Sequence, residues 1–286
     1  MVSGDAIHSD VPSGLSAAFP EEADFFKGLP QDDIRALAAA ARLRNFAKGE
    51  HIFLQEAPAS SVFVITGGWV RLYRSMTDGS EATPAVMTRG GVFGEGAFFE
   101  PAYRNSAQAV SDAEVIELPA ALLAARAKAS PVLAMHVAAL LSSKLEDTRL
   151  EAEHVALKTT LQRVGCLLLK LTARMNGAGG AFPFPYDKKI AAQQLGMQRE
   201  TFSRALAGLK GVGVTTSGSE VRIDDFERLT AYACRNCSAY PNRCPGPRVR
   251  TSARGFADKL LLIAGGAWCD AYSGILEFLM GVGGEA

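Results

Sequence analysis

The sequence lacks an excess of charge of either sign and has few histidines. Its 286 residues include 30 lysines and arginines and 30 aspartates and glutamates, so the formal net charge is zero. A nucleic-acid interface must therefore depend on local charge. The four histidines are scattered, and no phosphate-binding loop, dinucleotide-binding glycine motif or serine–histidine–aspartate pattern stands out. We predict that the chain is not an enzyme, and a cupin-like enzyme is the least favoured alternative.

Cysteines and long apolar runs are also sparse. Five cysteines, three of them close together, do not resemble the framework of a secreted disulfide-rich protein. No run before residue 255 is apolar enough to cross a membrane, and KLLLIAGGAW and ILEFLMGVGG near the C-terminus are short for a span. The N-terminus has no basic segment followed by an apolar run, as a secretory signal would. We expect a cytoplasmic protein with no membrane partner.

The texture of the sequence changes along the chain and predicts an α+β protein. Between residues 44 and 118, short β-branched or aromatic runs are separated by glycine pairs and other turn signals, which is typical of a small jelly roll or barrel. Beyond residue 131 the hydrophobic period becomes helical. We divide the chain into 1–19, a flexible arm; 20–128, a β-roll; 129–158, a long helix; 159–232, a helix-turn-helix unit; and 233–286, a cysteine-containing tail of unknown role.

The long helix carries a mixed apolar and polar seam. Its members recur at alternating steps of four and three: Val137, Leu141, Lys144, Thr148, Glu151 and Val155. Such a seam favours pairing with the same helix of a second copy, which predicts a homodimer. A helix lying on its own domain has the same periodicity and is the alternative.

Residues 190–209, IAAQQLGMQRETFSRALAGL, have the pattern of two helices joined by a tight turn. Ala192 lies four residues before Gly196, so the helices can approach closely and the glycine can adopt a positive φ. Residues 187–210 contain five basic and two acidic residues, a local excess of positive charge in a neutral chain. Two short strands around Gly218 follow and predict a hairpin wing.

The second helix of this pair has an apolar face and a polar face. The apolar stripe contains Phe202, Ala205, Leu206 and Leu209, and the polar face contains Arg199, Glu200, Ser203 and Arg204. Arginine can donate two hydrogen bonds to guanine, and a carboxylate can accept from cytosine. We therefore predict that the polar face reads bases in double-stranded DNA, with Gln198 and Thr201 placed for phosphates. The alternative is a solvated helix in which Glu200 pairs with Arg204.

Two stretches resemble one family of bacterial regulators. MQRETFSRAL is similar to the recognition helix of the catabolite-activator/FNR (Crp/Fnr) superfamily, and GGVFGEGAFFEPAYRNSAQAVSDAEVIEL is similar to its effector-pocket segment. The resemblance covers about residues 25–230. It implies an N-terminal cyclic-nucleotide-binding-like β-roll, a long dimerisation helix and a C-terminal winged helix-turn-helix. It also implies a homodimer on a near-palindromic DNA site, with RNA polymerase as a partner.

The resemblance also implies an effector pocket, in which this chain departs from the family pattern. Cyclic-nucleotide-binding members carry Gly-Glu and then an Arg-Ser pair that grips the cyclic phosphate. The matching residues here are Gly94, Glu95, Asn105 and Ser106, and those on the long helix are Thr148 and Arg149. Without the guanidinium at position 105, a bound phosphate loses a charge-assisted hydrogen-bond pair. We therefore do not expect cyclic AMP to be the effector, although Arg149 is a candidate replacement.

Gas- and redox-sensing branches of the superfamily offer further hypotheses for the signal. The stretches SAQAV, LKTTLQRV and ETFSR are similar to the nitric-oxide-responsive, DNR-like branch, which implies haem, with His136 and His154 as candidate ligands. Cysteines 234, 237 and 244 form a C-x2-C-x6-C spacing suited to zinc or an iron–sulfur cluster, one ligand short. The alternatives are ordinary histidines, three reduced thiols, and a constitutive or architectural DNA binder with an empty pocket.

Overall fold

Two four-stranded antiparallel sheets form the N-terminal half of the protein. The computed structural model describes residues 24–175, 180–235 and 237. The strands are β1 (Arg42–Phe46), β2 (His51–Phe53), β3 (Ser61–Gly67), β4 (Trp69–Ser75), β5 (Glu81–Thr88), β6 (Val92–Phe93), β7 (Ser106–Ala109) and β8 (Ala113–Pro119). The first sheet has the order β1-β8-β3-β6 and the second the order β2-β7-β4-β5. The predicted β-roll is confirmed.

Aromatic rings and β-branched residues fill the roll. Strand β3 is buried along nearly its whole length because it lies between β8 and β6. The Tyr103 ring stacks on Phe53 with centroids 3.8 Å apart, and Phe63 stacks on Phe93 at 5.2 Å. The Tyr103 hydroxyl donates to the Ser61 carbonyl at 2.8 Å, so the ring's polar end is satisfied within the core.

Three helices flank the roll: α1 (Gln31–Ala40), α2 (Ala120–Ala129) and α3 (Pro131–Leu157). Buried Asp33 ties them together, since it accepts from Arg126 Nε at 2.9 Å and from the Ser130 hydroxyl at 2.5 Å. Burial alone would raise the pKa of Asp33, but Ser130 and Arg126 outweigh it and hold the pKa below its usual value. Helix α2 was not anticipated, because its alanine-rich sequence continues directly from β8.

Helix α3 is the predicted long helix. Ser130 caps its N-terminus and Pro131 occupies the first turn, where its missing N–H costs nothing. Seam residues spaced seven apart face this same chain: Val137 packs on the core of the roll, Lys144 pairs with Glu95, and Glu151 pairs with Lys170. Part of the predicted seam is thus used within the protomer, as the alternative interpretation required. Among the described residues, no helix is long and apolar enough to span a membrane.

Several apolar side chains of α3 lie in solvent, among them Val155 of the predicted seam. Met135 is 65% exposed, Leu145 52% and Val155 61%. Large apolar side chains exposed along one helix commonly mark an interaction surface. The homodimer stays a prediction, and these residues, more than Val137 or Lys144, are the ones available to a second copy.

The C-terminal half is a winged helix-turn-helix. It contains α4 (Thr160–Arg174), α5 (Lys188–Gln194), α6 (Arg199–Gly208) and α7 (Phe226–Ala233), with a sheet of order β10-β11-β9. Strands β10 (Val214–Ser217) and β11 (Glu220–Ile223) form the predicted wing, and β9 (Gly180–Pro183) adds a third strand. The sequence GAFP is too short to show a strand period, so β9 could not be predicted.

We expect the turn between β3 and β4 to accept only glycine at position 68. The φ of Gly68 is +76°, and a Cβ there would lie 2.0 Å from the Asp112 carbonyl oxygen. Gly79 is the matched control, because its φ is +81° and nothing lies within 4 Å of its Cβ position. Gly79→Ala should cost only the left-handed strain, about 1–2 kcal/mol of unfolding free energy. Gly68→Ala should cost more by at least about 1 kcal/mol, measured by urea denaturation. Equal losses of unfolding free energy in the two variants would contradict a clash at position 68.

Candidate DNA-binding surface and effector pocket

Helix α6 divides its two faces as the sequence predicted. Phe202, Ala205 and Leu206 are buried, and Phe202 meets the Phe184 ring edge-on at 6.1 Å. The predicted DNA-contacting side chains are all exposed: Gln198, Arg199, Glu200, Thr201, Ser203 and Arg204. Within the described part of the chain, the alternative ion pair between Glu200 and Arg204 is not formed. The polar face is therefore available to an external partner.

The turn before α6 and the wing after it hold this helix in place. Gly196 has a φ of +61° and Ala192 is buried, which confirms the predicted turn. Asp187 caps α5 by accepting from the Lys189 N–H at 2.7 Å. Lys188 Nζ donates to the Gly218 carbonyl at the tip of the wing at 2.7 Å. This hydrogen bond joins helix α5, which precedes α6 in the chain, to the wing, which follows α6.

The helix-turn-helix unit also contacts the β-roll. Buried Arg71 on β4 donates to Gln108 at 2.7 Å and to Glu81 at 3.0 Å within the roll, and to Gln193 of α5 at 3.3 Å. The Trp69 ring lies 5.4 Å from that of Tyr186, which precedes α5. Burial raises the pKa of Tyr186, as expected for a phenol in an apolar contact. The first helix of the DNA-binding unit therefore packs against a sheet of the roll.

The resemblance-derived pocket residues of the roll come together only in part. Gly94 and Glu95 open a 3-10 turn (Glu95–Phe98), and the Glu95 carboxylate accepts from Lys144 Nζ of α3 at 2.8 Å. Thr148 donates to the carbonyl of Lys144, and Arg149 pairs with Glu146 on the helix surface. Lys144, rather than Thr148 or Arg149, is thus the residue through which α3 meets this turn within one chain.

A guanidinium does stand beside position 105, but it comes from another strand. Arg74 Nε donates to Asn105 Oδ1 at 2.8 Å, and the hydroxyl of buried Ser106 accepts from the Gln55 N–H at 2.9 Å. Arg104 points away and pairs with Glu100 at 2.8 Å on the surface. Arg74 was missed because the pairing of β4 with β7, which aligns Tyr73 with Ser106, joins strands about 30 residues apart.

The two candidate haem histidines are buried and already have partners. The ring nitrogens of His136 lie 3.0 Å from the Val132 carbonyl and 2.9 Å from the Lys27 carbonyl. Nε2 of His154 lies 3.6 Å from Sγ of Cys237, and its Nδ1 lies 3.8 Å from Glu151. Axial ligation of haem through either ring would replace at least one of these contacts.

The candidate metal ligands are divided between described and undescribed residues. Cys234 and Cys237 are buried at the end of α7, and Cys244 lies outside the described residues. Within the described ranges, no group of three histidine, cysteine or acidic side chains is placed to hold a metal ion. The structure instead brings Cys237 to His154, a pair 83 positions apart that no sequence spacing signalled.

Two family models match the halves of this chain. Residues 43–129 match the cyclic nucleotide-binding domain, and residues 162–232 match the Crp-like helix-turn-helix domain. The cyclic AMP receptor protein of Thermus thermophilus is 31% identical over 68% of this chain and 88% of its own length. The nitrogen fixation regulation protein FixK of Azorhizobium caulinodans is 32% identical over 66% of this chain and 77% of its own length.

Solved structures agree in fold. A putative cyclic nucleotide binding protein of Ruegeria pomeroyi has 34% identity and a TM-score of 0.58, with 77% of this chain and 97% of that chain covered. FixK2 of Bradyrhizobium japonicum has 27% identity and a TM-score of 0.61, with 67% and 96% covered.

We expect Glu151 to stabilise the junction of α3 and α4 in a pH-dependent way. Burial would raise its pKa, but His154 and Lys170 outweigh burial and lower it from 4.5 to about 2. Stability from this group is therefore fully present above pH 4.5 and is lost as the pH falls towards 2. Glu151→Gln should lose about 0.2–1 kcal/mol at pH 7, as expected of a half-exposed ion pair.

The acid limb of the unfolding free energy should also be shallower in Glu151→Gln than in the wild type. Glu146→Gln is the control, since Glu146 lies on the same helix and pairs with exposed Arg149. Chemical denaturation at several values between pH 2 and pH 7 measures both effects. The same acid dependence in Glu151→Gln and the wild type would contradict this role.

Proposed function

We propose that this chain, which belongs to the Crp/Fnr family of DNA-binding transcription regulators, acts as an effector-gated homodimer on a near-palindromic DNA site. The observation that carries this proposal is the exposed polar face of α6. Its two arginines and one glutamate lie on the side of α6 opposite the buried apolar residues. The glycine turn precedes α6, and the wing that follows it is hydrogen-bonded to α5. This is the arrangement by which a recognition helix enters the major groove.

The homodimer is supported by the exposed apolar side chains of α3. Met135, Leu145 and Val155 are exposed along a 27-residue helix, other residues of which contact the roll and α4. Regulators of this family typically bind DNA as dimers and act with RNA polymerase. A second copy placed along α3 would cover these side chains and present two recognition helices, one to each half-site.

The effector site we propose lies between β7, the turn at Glu95 and α3. Arg74, Ser106 and Lys144 supply polar and positively charged groups there, which favours a small anionic ligand. Cyclic AMP is not the favoured ligand, because Asn105 stands where the resemblance places an arginine. Binding would act on α3 through Lys144, and the ligand must bind the DNA-competent state more tightly to shift the equilibrium. A constitutive regulator with an empty pocket is the alternative.

A nitric-oxide-responsive regulator with haem on His136 or His154 is less well supported. Both ring nitrogens of His136 face backbone carbonyls, and His154 faces Cys237 and Glu151. We therefore assign no haem chemistry to these residues. A haemin titration followed by absorption spectroscopy distinguishes a haem-based gas sensor from a regulator without haem. Stoichiometric haemin uptake that is lost in His136→Ala would restore the gas-sensor interpretation.

Arg204→Ala should weaken specific DNA binding, because it removes a side chain able to pair with a base edge. The expected cost at the cognate site is about 1–3 kcal/mol, or about 5–150-fold in Kd. Lys128→Ala on α2 removes the same charge from an exposed residue of the sensor half and should leave the Kd nearly unchanged. The measurement is fluorescence anisotropy on a site selected from a random DNA library at fixed salt.

The same titration tests the dimer and the specificity. Two chains should bind per palindromic site, and Arg204→Ala should lose preference among base substitutions within one half-site position. If Arg204→Ala instead weakened binding to all DNA sequences equally, Arg204 would contact only phosphates. If its effect on the Kd were no larger than that of Lys128→Ala, Arg204 would contribute only non-specific charge. A selection that yields no enriched site would contradict a sequence-specific regulator.

Asn105→Arg should create affinity for cyclic AMP that the wild type lacks. A charge-assisted hydrogen bond contributes about 1.5–3 kcal/mol, so binding should strengthen about 10–100-fold in isothermal titration calorimetry. Asn45→Arg is the control, since it makes the same substitution at an exposed position of β1. Tight cyclic AMP binding by the wild type would contradict the assignment.

A further inference from the structure

We infer that Cys234 and Cys237 form a peroxide-oxidisable dithiol in which His154 serves as the base. Nothing in the proposed DNA-binding function requires this chemistry. The site stands on three described features: a thiol next to an imidazole, a second thiol one turn away, and a carboxylate behind the imidazole. The imidazole and the carboxylate lie on α3, and the two thiols lie at the end of α7.

The thiol–imidazole contact joins the end of the long helix to the end of the DNA-binding unit. His154 lies in the last turn of α3, and Cys237 follows α7; both are buried, with 4% and 8% exposure. Sγ and Nε2 are 3.6 Å apart. A nucleophile within reach of a base that a third group orients is the arrangement that activates cysteine for attack.

Glu151 and Lys170 complete the environment of the imidazole. Glu151 lies 3.8 Å from Nδ1 of His154 and also pairs with Lys170 on α4. This carboxylate, held by the lysine, favours the ring orientation that turns Nε2 towards the sulfur. A cavity of about 20 Å³ borders His154, Glu151, Lys170 and Cys166. It has room for about one water-sized molecule beside the imidazole, and the cysteine in its lining is Cys166, not Cys234 or Cys237.

Cys234 is placed to complete a disulfide. The Cys237 N–H donates to the Cys234 carbonyl at 3.1 Å, a hydrogen bond between residues three positions apart. The Cα atoms of two residues bonded in this way lie within about 7 Å, and Cα atoms joined by a disulfide are usually about 4.4–6.8 Å apart. Both thiols are buried in the same cluster of the DNA-binding unit.

The reaction proceeds in two balanced steps. The sulfur of Cys237 attacks one oxygen of hydrogen peroxide, the O–O bond breaks, and the thiol proton passes through His154 to the leaving hydroxide, which becomes water. Cys237 is then a sulfenic acid. The thiol of Cys234 attacks that sulfur, an S–S bond forms, and a second water leaves. Two thiols have lost two electrons and two protons, and an added dithiol returns them.

Oxidation would release α3 from the segment after α7. In the disulfide, the Cys237 sulfur is bonded to Cys234 and no longer carries a proton to share with His154. A change in DNA affinity on oxidation would follow only if the proposed function is right, whereas the thiol chemistry stands independently of it.

The test treats the reduced full-length protein with hydrogen peroxide and maps its cysteines by alkylation and peptide mass spectrometry. We expect a Cys234–Cys237 disulfide, loss of two hydrogens in the intact mass, and full reversal by dithiothreitol. His154→Gln should slow the reaction by about 10²-fold, the lower end of what a positioned base supplies. His136→Gln is the matched control, a buried histidine of the same helix whose ring nitrogens face the backbone carbonyls of Val132 and Lys27.

The sign of the change in oxidation rate in His154→Gln distinguishes a general base from a residue that only shields Cys237 from solvent. If His154 only shielded Cys237, its replacement would make the thiol react faster. Faster or unchanged oxidation in His154→Gln would therefore overturn the proposal. So would first oxidation of Cys166 in the wild type, a disulfide from Cys237 to Cys244 or Cys269, or a stoichiometric metal that protects the thiols. These wild-type outcomes are readable even where a variant fails to fold.

Discussion

The uninterrupted backbone hydrogen bonding of α3 is the constraint on which the rest of the structure depends. The helix has 27 residues, and after Pro131 its sequence contains neither glycine nor proline. At about 1.5 Å per residue it forms a rod of about 40 Å. Leu133 is buried in the core of the roll at one end, and His154 is buried against the DNA-binding unit at the other. A displacement at either end is therefore transmitted along a stiff element.

Polar contacts attach this rod at intervals, and each attachment involves a different functional part. Ser130 joins its start to Asp33 and Arg126, Lys144 joins its middle to the turn at Glu95, and Glu151 joins its end to Lys170. The proposed effector site acts on the middle attachment, and the proposed dithiol acts on the end. Two chemically unrelated signals would thus act on one helix, with the DNA-binding unit as their common output.

Local patterns predicted the parts of the protein whose residues are close in sequence. The buried and exposed faces of α6, the positive φ of Gly196 and the hairpin wing follow from spacings of a few residues, and all are found. Arg74 beside Asn105 and His154 beside Cys237 depend on strand pairing and helix packing across about 30 and 83 positions. The stripe through Val137 and Lys144 was detected as a period, but periodicity does not reveal whether a helix packs on its own chain or on a second copy.

The packing of Trp69 against Tyr186 gives the protein an internal optical reporter. The chain has two tryptophans, and Trp69 lies where the roll meets the segment leading into α5. An indole held in an apolar contact emits at shorter wavelength than one in water, so separation of the two halves would shift its emission to the red. With Trp268 replaced by phenylalanine, domain movement could be followed in unlabelled protein on the millisecond scale.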